Sequence, residues 1–411
     1  MSNETVQSRK WPTAGNSKIP YWVYSDPDIY TQELEKIFYG PHWSYVGLEA
    51  EIPNIGDFKT SMIGERPLIV TRSAEDKISV MENKCAHRGV QFCREKLGNA
   101  KELVCPYHQW VYDLDGDLQG VPYLRGVKRQ GGMPKAFNRK EHGLRKLKSE
   151  VVNGVVWATF ATDTPPFEEY MGPRMYKHYT RVYSGKKLKV LGYNRQRIPG
   201  NWKLMMENIK DPYHAGLLHV FFVTFGLFRA DQDSAVDIDE TGRHGILISR
   251  KGEQEKNNLT KDLRNFDESF KLEDDRILDY KHEWDGDDTV GMITVFPSII
   301  LQQQVNSLST RQILPRGPNE FDFVWTHFGY EDDDDEMTER RLRQANLFGP
   351  AGLVSADDGE IIEFAQDGLK AFKHDEALAM MSGDEITCTD HMVTETAIRG
   401  MYRYYREIMG L

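Results

Sequence analysis

Residues 85–108 read CAHRGVQFCREKLGNAKELVCPYH and place two cysteines and two histidines in a compact pattern. One residue separates Cys85 from His87, and two residues separate Cys105 from His108. Seventeen residues lie between these two pairs. Thiolates and imidazoles both bind iron and zinc, so the four side chains are a candidate metal centre.

Two kinds of centre use two cysteines and two histidines. A structural zinc site usually pairs cysteine with cysteine in one loop and histidine with histidine on a helix. Here each loop supplies one of each, which fits a Rieske [2Fe–2S] cluster, where cysteines hold one iron and histidines the other. We predict such a cluster on Cys85, His87, Cys105 and His108. A zinc site is the alternative, and the remaining Cys93 and Cys388 are expected to be structural.

A second group of metal-binding residue types occupies residues 211–219, DPYHAGLLH. Two imidazoles and one carboxylate that leave coordination positions open are typical of non-haem Fe(II) sites that activate oxygen. His214 and His219 are five residues apart, and an ideal helix would splay them. We therefore expect the helix to bend or end between them, near Gly216.

The third iron ligand must come from another part of the chain. The segment 355–360, SADDGE, is the best source of a carboxylate. We predict Asp358 as the ligand, with Asp357 as the alternative. Asp211 lies three residues before His214, so the two side chains would share a helix face. Alternatively, Asp211 caps the start of a helix before Pro212.

Length and charge limit the class of protein. A chain of 411 residues favours two domains, and a net charge of -11 disfavours nucleic acid and anionic membranes as partners. The longest apolar run is too short to span a bilayer, and residues 1–20 contain no signal sequence. We expect a cytoplasmic protein.

Secondary-structure patterns change along the chain. Short β-type runs broken by glycine, proline and aspartate fill residues 47–160, and helical and strand patterns mix after that point. Residues 394–409 have the spacing of an amphipathic helix packed on a sheet. The polar stretch 257–275 is expected to form a surface loop or helix.

Together the two motifs resemble those of the Rieske non-haem iron aromatic-ring-hydroxylating oxygenases, and the likeness covers nearly the whole chain. The resemblance implies an α+β fold. An N-terminal all-β Rieske domain, residues 43–160, is inserted into a catalytic domain formed by residues 1–42 and 161–411. The antiparallel sheet of the catalytic domain wraps around helices, in a helix-grip arrangement. One departure is Gln109, where many members of the family have glycine.

The resemblance also implies cofactors and partners: a [2Fe–2S] cluster, Fe(II), O₂, a ferredoxin and an NADH-dependent reductase. The subunits would form a trimeric ring, α3 or α3β3 with a small β subunit, in a bacterial cytoplasm. Asp211 would be the catalytic carboxylate that links a cluster histidine of one subunit to His214 of its neighbour. Asn208 is a second catalytic candidate. No G-x-G-x-x-G fingerprint for a dinucleotide precedes a helix in this chain.

Within the family, residues 192–204, 302–307 and 344–352 look most like the large subunits of salicylate 5-hydroxylases. The implied reaction is hydroxylation of salicylate to gentisate. The alternatives are a dioxygenase acting on anthranilate, terephthalate or another benzoate, and a Rieske electron carrier without enzymatic activity. A ring carboxylate calls for a buried arginine. Arg311 is the first candidate, with Arg399 and Gln303 as further substrate-binding candidates.

Overall fold

The computed structural model describes residue 11 and residues 15–228, 232–250 and 269–411. Most of the polar stretch 257–275 lies outside these residues. The chain forms two compact units, a smaller one of residues 38–167 and a larger one of residues up to 37 and from 168 onward. The expected domain limits, 1–42, 43–160 and 161–411, stay a prediction.

The helices follow in chain order. They are α1 Pro27–Glu33, α2 Phe167–Val182, α3 Trp202–Lys210, α4 Ala215–Leu218, α5 Val220–Thr224, α6 Asp335–Phe348, α7 Leu353–Ala371 and α8 Thr396–Met409. A π-helical turn, Leu34–Phe38, continues α1. Among the described residues, no helix is both long and apolar enough to cross a membrane.

The strands are mostly short in the smaller unit and longer in the larger one. They are β1 Lys18–Pro20, β2 Ser44–Leu48, β3 Asp57–Ile63, β4 Arg66–Ala74, β5 Lys77–Glu82, β6 Leu97–Asn99, β7 Leu103–Val104, β8 Val111–Tyr112, β9 Leu118–Gly120, β10 Lys148–Val152, β11 Val155–Thr159, β12 Leu188–Ile198, β13 Ser234–Ile238, β14 Gly245–Arg250, β15 Asp288–Val295, β16 Ile299–Gln304, β17 Ser307–Pro315, β18 Phe321–Tyr330 and β19 Glu376–Leu378.

The smaller unit is built from three antiparallel sheets. Their strand orders are β10-β11-β2, β5-β4-β3-β6 and β7-β8-β9. One hydrophobic core includes Met81, Tyr112 and Leu118, and both Cys85 and Cys105 are buried in that core. The β-rich character expected for this region is confirmed, and its core anchors the two loops that carry the first motif.

The larger unit is organised around a seven-stranded antiparallel sheet of order β12-β18-β17-β16-β15-β14-β13. Helix α3 packs against β14, β15 and β17, and the C-terminal helix α8 packs against β13. The predicted amphipathic helix at the C-terminus is thus confirmed. This sheet with its helices is the antiparallel arrangement expected for the catalytic domain.

A buried polar network holds helix α3. The Asn201 side chain caps the helix by accepting a hydrogen bond from the backbone N–H of Lys203. The ammonium of Lys203 lies 2.6 Å from the Glu33 carboxylate, which also accepts hydrogen bonds from Trp202 Nε1 and the Tyr405 hydroxyl. A fully satisfied buried network of this kind rigidifies the helix, which ends at the second motif.

Candidate metal centres and substrate cavity

His214 and His219 meet because the chain between them is not one continuous helix. Helix α3 ends at Lys210, and His214 caps the single turn of α4. His219, with φ -91° and ψ 66°, breaks the helical path before α5 begins. An interruption between the histidines is confirmed, although it lies at His219 rather than near Gly216, which is inside α4. The two imidazole rings lie 5.4 Å apart between centroids.

Asp358 completes a three-residue cluster from helix α7. Its Oδ1 atom lies 3.1 Å from His219 Nε2 and 3.6 Å from His214 Nε2. Among the residues that the structure describes, this is the only group of three or more His, Cys, Asp or Glu side chains whose donor atoms all lie within 4.8 Å of one another. Two imidazoles and one carboxylate suit Fe(II).

The two neighbouring aspartates have different contacts. Asp358 is buried and faces both histidines. Asp357 instead lies 3.1 Å from Nδ1 of His219, the ring nitrogen that does not face Asp358. A carboxylate in this position fixes the tautomer and orientation of a metal-binding histidine. The structure therefore favours Asp358 over Asp357 as the ligand.

The electrostatics of the cluster match a site for a cation. Burial alone would raise the pKa of Asp358, but hydrogen bonds with His214 and His219 hold it well below its usual range. Burial alone would lower the pKa of His214, yet the nearby carboxylates of Asp211 and Asp358 raise it to about 10. A metal ion can take the place of the protons that these side chains share.

Asn208 and Asp211, the two catalytic candidates, both contact the cluster. Asn208 Nδ2 donates a hydrogen bond of 3.0 Å to Asp358 Oδ1. Asp211 Oδ2 lies 3.4 Å from Nδ1 of His214. Asp211 is the C-cap of α3 rather than the start of a helix, although its other oxygen accepts a hydrogen bond from the backbone N–H of Tyr213. Its link to a second subunit stays a prediction.

A cavity of about 290 Å³ opens beside the iron triad. Much of its wall is apolar, and the three triad side chains, Asn208, Asp211, Gln304 and Arg311 are among its polar groups. The apolar part of the wall includes Phe222, Leu227, Phe228, Leu247, Val290, Met292, Phe348, Val354 and Met392. An apolar cavity with a few fixed polar groups is typical of a site for a small organic ligand.

Arg311 is the buried cation of this cavity, with only 2% of its surface exposed. Its guanidinium lies over the rings of Trp325 and Phe323, and Nη2 contacts the sulfur of Met292. Burial lowers the pKa of Arg311 to about 10, against the opposing effect of the Asp358 charge. The group is thus still a cation at neutral pH.

The other two substrate-binding candidates do not reach the cavity. Arg399 donates hydrogen bonds to the backbone carbonyls of Glu385, Ala379 and Met381. Its guanidinium therefore stabilises the backbone of this segment. Gln303 points to the opposite face of the sheet from the cavity. There it contacts Arg181 and backbone carbonyls.

Gln304 is a polar cavity residue that the sequence did not single out. It lines the cavity, whereas the neighbouring Gln303 does not. Side chains alternate between the two faces of a strand, so the run of three glutamines indicated that Gln303 and Gln304 face opposite ways. The run alone did not indicate which of the two faces inward.

The loops of the first motif share one backbone design. The N–H of Gly89 donates to the carbonyl of Cys85, and the N–H of Gln109 donates to that of Cys105, both at 2.9 Å. Gly89 and Gln109 both have positive φ, 69° and 56°. This conformation favours glycine, and the structure accommodates glutamine at position 109.

The four donor side chains of these loops fall into two pairs. The cysteine thiols are buried, and burial raises the pKa of Cys105, to which a hydrogen bond with Cys85 also contributes. The imidazoles of His87 and His108 lie 4.6 Å apart, half-buried, and His87 stacks on Trp110. Within the described residues, Nδ1 of His87 is buried without a hydrogen-bond partner.

This arrangement fits two irons better than one zinc ion. A tetrahedral zinc site needs all four donor atoms around a single point. Among the described residues, the donors of the first motif do not form a convergent group like that of His214, His219 and Asp358. Separate cysteine and histidine pairs are what a Rieske cluster requires, because each pair holds its own iron. The chain thus has the two centres of a Rieske-type non-haem iron oxygenase.

Comparison with known proteins agrees with these two centres. Residues 42–130 match the Rieske [2Fe–2S] domain, and residues 174–411 match the catalytic domain of ring-hydroxylating alpha subunits. The chain is 57% identical to the large oxygenase component of salicylate 5-hydroxylase from Ralstonia sp, over 98% of this chain and 97% of that protein. It is 42% identical to the large subunit of anthranilate 1,2-dioxygenase from Burkholderia cepacia, over 97% of this chain and 95% of that protein.

The fold is similar to that of naphthalene 1,2-dioxygenase solved with indole in its active site. The TM-score is 0.80 at 22% identity, covering 98% of this chain and 94% of that one. The chain belongs to the ring-hydroxylating alpha subunits of the Rieske oxygenases. It is the large oxygenase subunit of a multicomponent aromatic ring hydroxylase, with a [2Fe–2S] cluster and a mononuclear iron held by His214, His219 and Asp358.

Proposed function

We propose that this subunit hydroxylates salicylate at C5, giving gentisate, with O₂ and electrons that originate from NADH. The observation that carries the proposal is Arg311, a buried cation in an apolar wall of the cavity beside the iron triad. A guanidinium binds a carboxylate through two parallel hydrogen bonds. The 57% identity to the salicylate 5-hydroxylase component supports the choice of acid.

The residues of the cavity have distinct roles in this proposal. Arg311 binds the ring carboxylate, while the apolar wall excludes water and holds the ring. His214, His219 and Asp358 would hold Fe(II), whose chemistry is the activation of O₂. Asn208 fixes the carboxylate of Asp358 through their 3.0 Å hydrogen bond. A fixed ligand geometry keeps the reacting positions aligned.

Electrons would enter through the first motif. Cys85 and Cys105 would hold one iron of the cluster, and His87 and His108 would hold the other. Asp211 lies 3.4 Å from Nδ1 of His214 and would connect it to a cluster histidine of a neighbouring subunit in a trimeric ring. The ring would be α3β3 or α3.

A ferredoxin and an NADH-dependent reductase would supply the electrons, in the cytoplasm of a bacterium. Several basic side chains on and near the ligand loops are exposed, on a chain with a net charge of -11. They are Lys84, Arg88, Arg94, Lys96 and Lys101, against the exposed acidic residues Glu95 and Glu102. A basic patch of this kind suits an acidic ferredoxin through charge complementarity.

Product analysis tests the reaction. The purified oxygenase, supplied with a ferredoxin and reductase of this class and NADH, is given salicylate, anthranilate, terephthalate and benzoate under labelled O₂. We expect gentisate from salicylate, with one labelled oxygen. Formation of a cis-diol, or turnover of another acid in preference to salicylate, would replace the proposal with a dioxygenase. Reduction without any product would favour an electron carrier.

Replacing Arg311 with leucine is expected to raise KM for salicylate by about 10- to 100-fold. This range corresponds to about 1.5–3 kcal/mol, the worth of a hydrogen bond to a charged group. Arg311→Lys keeps the charge but loses the bidentate hydrogen-bonding geometry, so we expect a KM between those of the wild type and Arg311→Leu. Steady-state kinetics on the three proteins measure the effect. An unchanged KM in Arg311→Leu would rule out the carboxylate-binding role.

A further inference from the structure

Arg311 differs in its partners from Arg341, another buried arginine of the same unit. Arg341 is fully buried and forms ion pairs with Asp333 and Glu283, and such partners offset the cost of burying a charge. Arg311 is just as buried, yet the contacts of its guanidinium are aromatic rings and a thioether. The fold must therefore hold this cation by other means.

Three polar side chains lie beside Arg311 on the same face of the sheet. In the strand register, Gln302 is opposite Ser309, and Ser309 is opposite His327. Directly opposite residues share a face, so these three side chains form what we call the polar row. Arg311 lies two residues beyond Ser309 on the same strand and therefore on the same face.

Two members of the polar row are oriented by hydrogen bonds at their far ends. Gln302 Nε2 donates to Gln304 Oε1 at 3.2 Å, which leaves Gln302 Oε1 as an acceptor within the row. His327 Nε2 lies 2.8 Å from Asn194 Oδ1, an acceptor, so Nε2 carries the proton and Nδ1 is an acceptor. Burial lowers the pKa of His327 to about 4, with the nearby Arg311 charge as a second cause, so the ring is neutral.

The polar row and Arg311 carry a matched set of unused hydrogen-bonding atoms. Four buried atoms of these four residues have no partner within the described part of the chain: Gln302 Oε1, Ser309 Oγ, His327 Nδ1 and Arg311 Nε. Two of these atoms are acceptors, one is a donor, and the serine hydroxyl can be either. Donors and acceptors on neighbouring side chains of one sheet face can pair through small rotations or a bridging water.

We propose that Gln302, Ser309 and His327 are positioning residues that hold Arg311 through neutral acceptors and so leave its positive charge for the anionic group of a ligand. This inference rests on the proposed function, because it assigns the charge to the carboxylate of the aromatic acid. A carboxylate in place of any member of the row would satisfy the guanidinium equally well. It would also neutralise the cation on which the ligand depends.

The decisive variant is Gln302→Glu, which has nearly the same shape and introduces a charge. Binding is measured by calorimetry on the intact oxygenase, with salicylate as the anionic probe and salicylamide as its neutral counterpart. We expect Gln302→Glu to weaken salicylate binding by about 10- to 100-fold, because a fixed carboxylate now competes for Arg311. Salicylamide binding should stay within about twofold of the wild-type value.

Two further variants separate charge from structure. Gln302→Met removes the same hydrogen bonds without adding a charge, and Ser309→Ala deletes one buried oxygen. Each should weaken salicylate binding by only about 2- to 10-fold, in line with the loss of one neutral hydrogen bond. Ser309→Ala also keeps the inference testable if Gln302→Glu does not fold.

If Gln302→Glu binds salicylate with wild-type affinity, the inference is overturned. It is also overturned if Gln302→Glu loses the same affinity for salicylate and for salicylamide, because that result indicates a purely structural role. If Gln302→Glu does not fold, unchanged salicylate binding in Ser309→Ala overturns it. Arg311→Leu distinguishes this failure from a failure of the proposed function. If Arg311→Leu weakens salicylate binding while the variants of the row do not, only the positioning role fails. If Arg311→Leu has no effect, the carboxylate-binding role fails first.

Discussion

The Asp358→Ala variant is expected to lose its mononuclear iron and at least about a thousandfold of its hydroxylation rate. Asp358 Oδ1 lies within 3.6 Å of the Nε2 atoms of both His214 and His219, so its removal takes away the only carboxylate that faces both rings in the described structure. A metal ion supplies several kcal/mol to such a reaction, and each 1.36 kcal/mol is a factor of ten in rate. Iron analysis and turnover assays measure the two losses.

The neighbouring Asp357→Ala is the matched control, since it deletes the same group from the same helix. Asp357 contacts Nδ1 of His219 and orients the ring through the nitrogen that does not face Asp358. Loss of such a supporting carboxylate typically weakens metal binding by about 10- to 100-fold. We therefore expect excess Fe(II) to restore the activity of Asp357→Ala but not that of Asp358→Ala.

The paired design makes the ligand assignment easy to contradict. If Asp357→Ala is the variant that stays inactive in excess Fe(II), the two aspartates have exchanged roles. If Asp358→Ala retains iron and turnover, the triad is not the reaction centre. In both variants the cluster absorbance should persist, because its predicted ligands lie in the other compact unit.

Metal ligands were predictable from the sequence because metal chemistry restricts both residue type and spacing. Mixed cysteine–histidine loops indicated the cluster, and the D-x2-H-x4-H spacing indicated an iron site that requires a broken helix. Asp358 and Asp357 could not be separated so firmly, because successive helical residues point about 100° apart and either could have faced the histidines. Packing of helix α7 decides between them.

Substrate residues were harder to predict because their roles depend on tertiary partners. Arg311 and Arg399 are both buried arginines in regular elements. Only the contacts distinguish them. Arg399 donates to backbone carbonyls, whereas the guanidinium of Arg311 lies over aromatic rings of the described chain. The strand alternation that separates Gln303 from Gln304 is similarly visible in sequence, but the inward face is set by the packing of α3 against the sheet.

Replacing Cys85 with serine is expected to abolish the red-brown cluster absorbance and the acid-labile sulfide, and with them all turnover that depends on NADH. A serine hydroxyl has nearly the same shape but is a hard ligand, whereas the irons of such clusters are held by soft thiolates. The Cys85 thiol is buried in the same core as Cys105, 3.3 Å from the Tyr112 hydroxyl. Absorbance, sulfide assay and electron paramagnetic resonance of the reduced protein report the loss.

Cys93→Ser is the matched control for this second experiment. Cys93 is also buried in the core of the smaller unit, and burial raises the pKa of its thiol to about 11, so it is a protonated, structural side chain. Its substitution should leave the cluster spectrum unchanged and cost only stability. The ligand set would be contradicted if the wild-type protein contained zinc. It would also be contradicted if Cys85→Ser kept its cluster while Cys93→Ser lost it. Because the two cysteines share one core and differ in loop position, the comparison isolates ligation from packing.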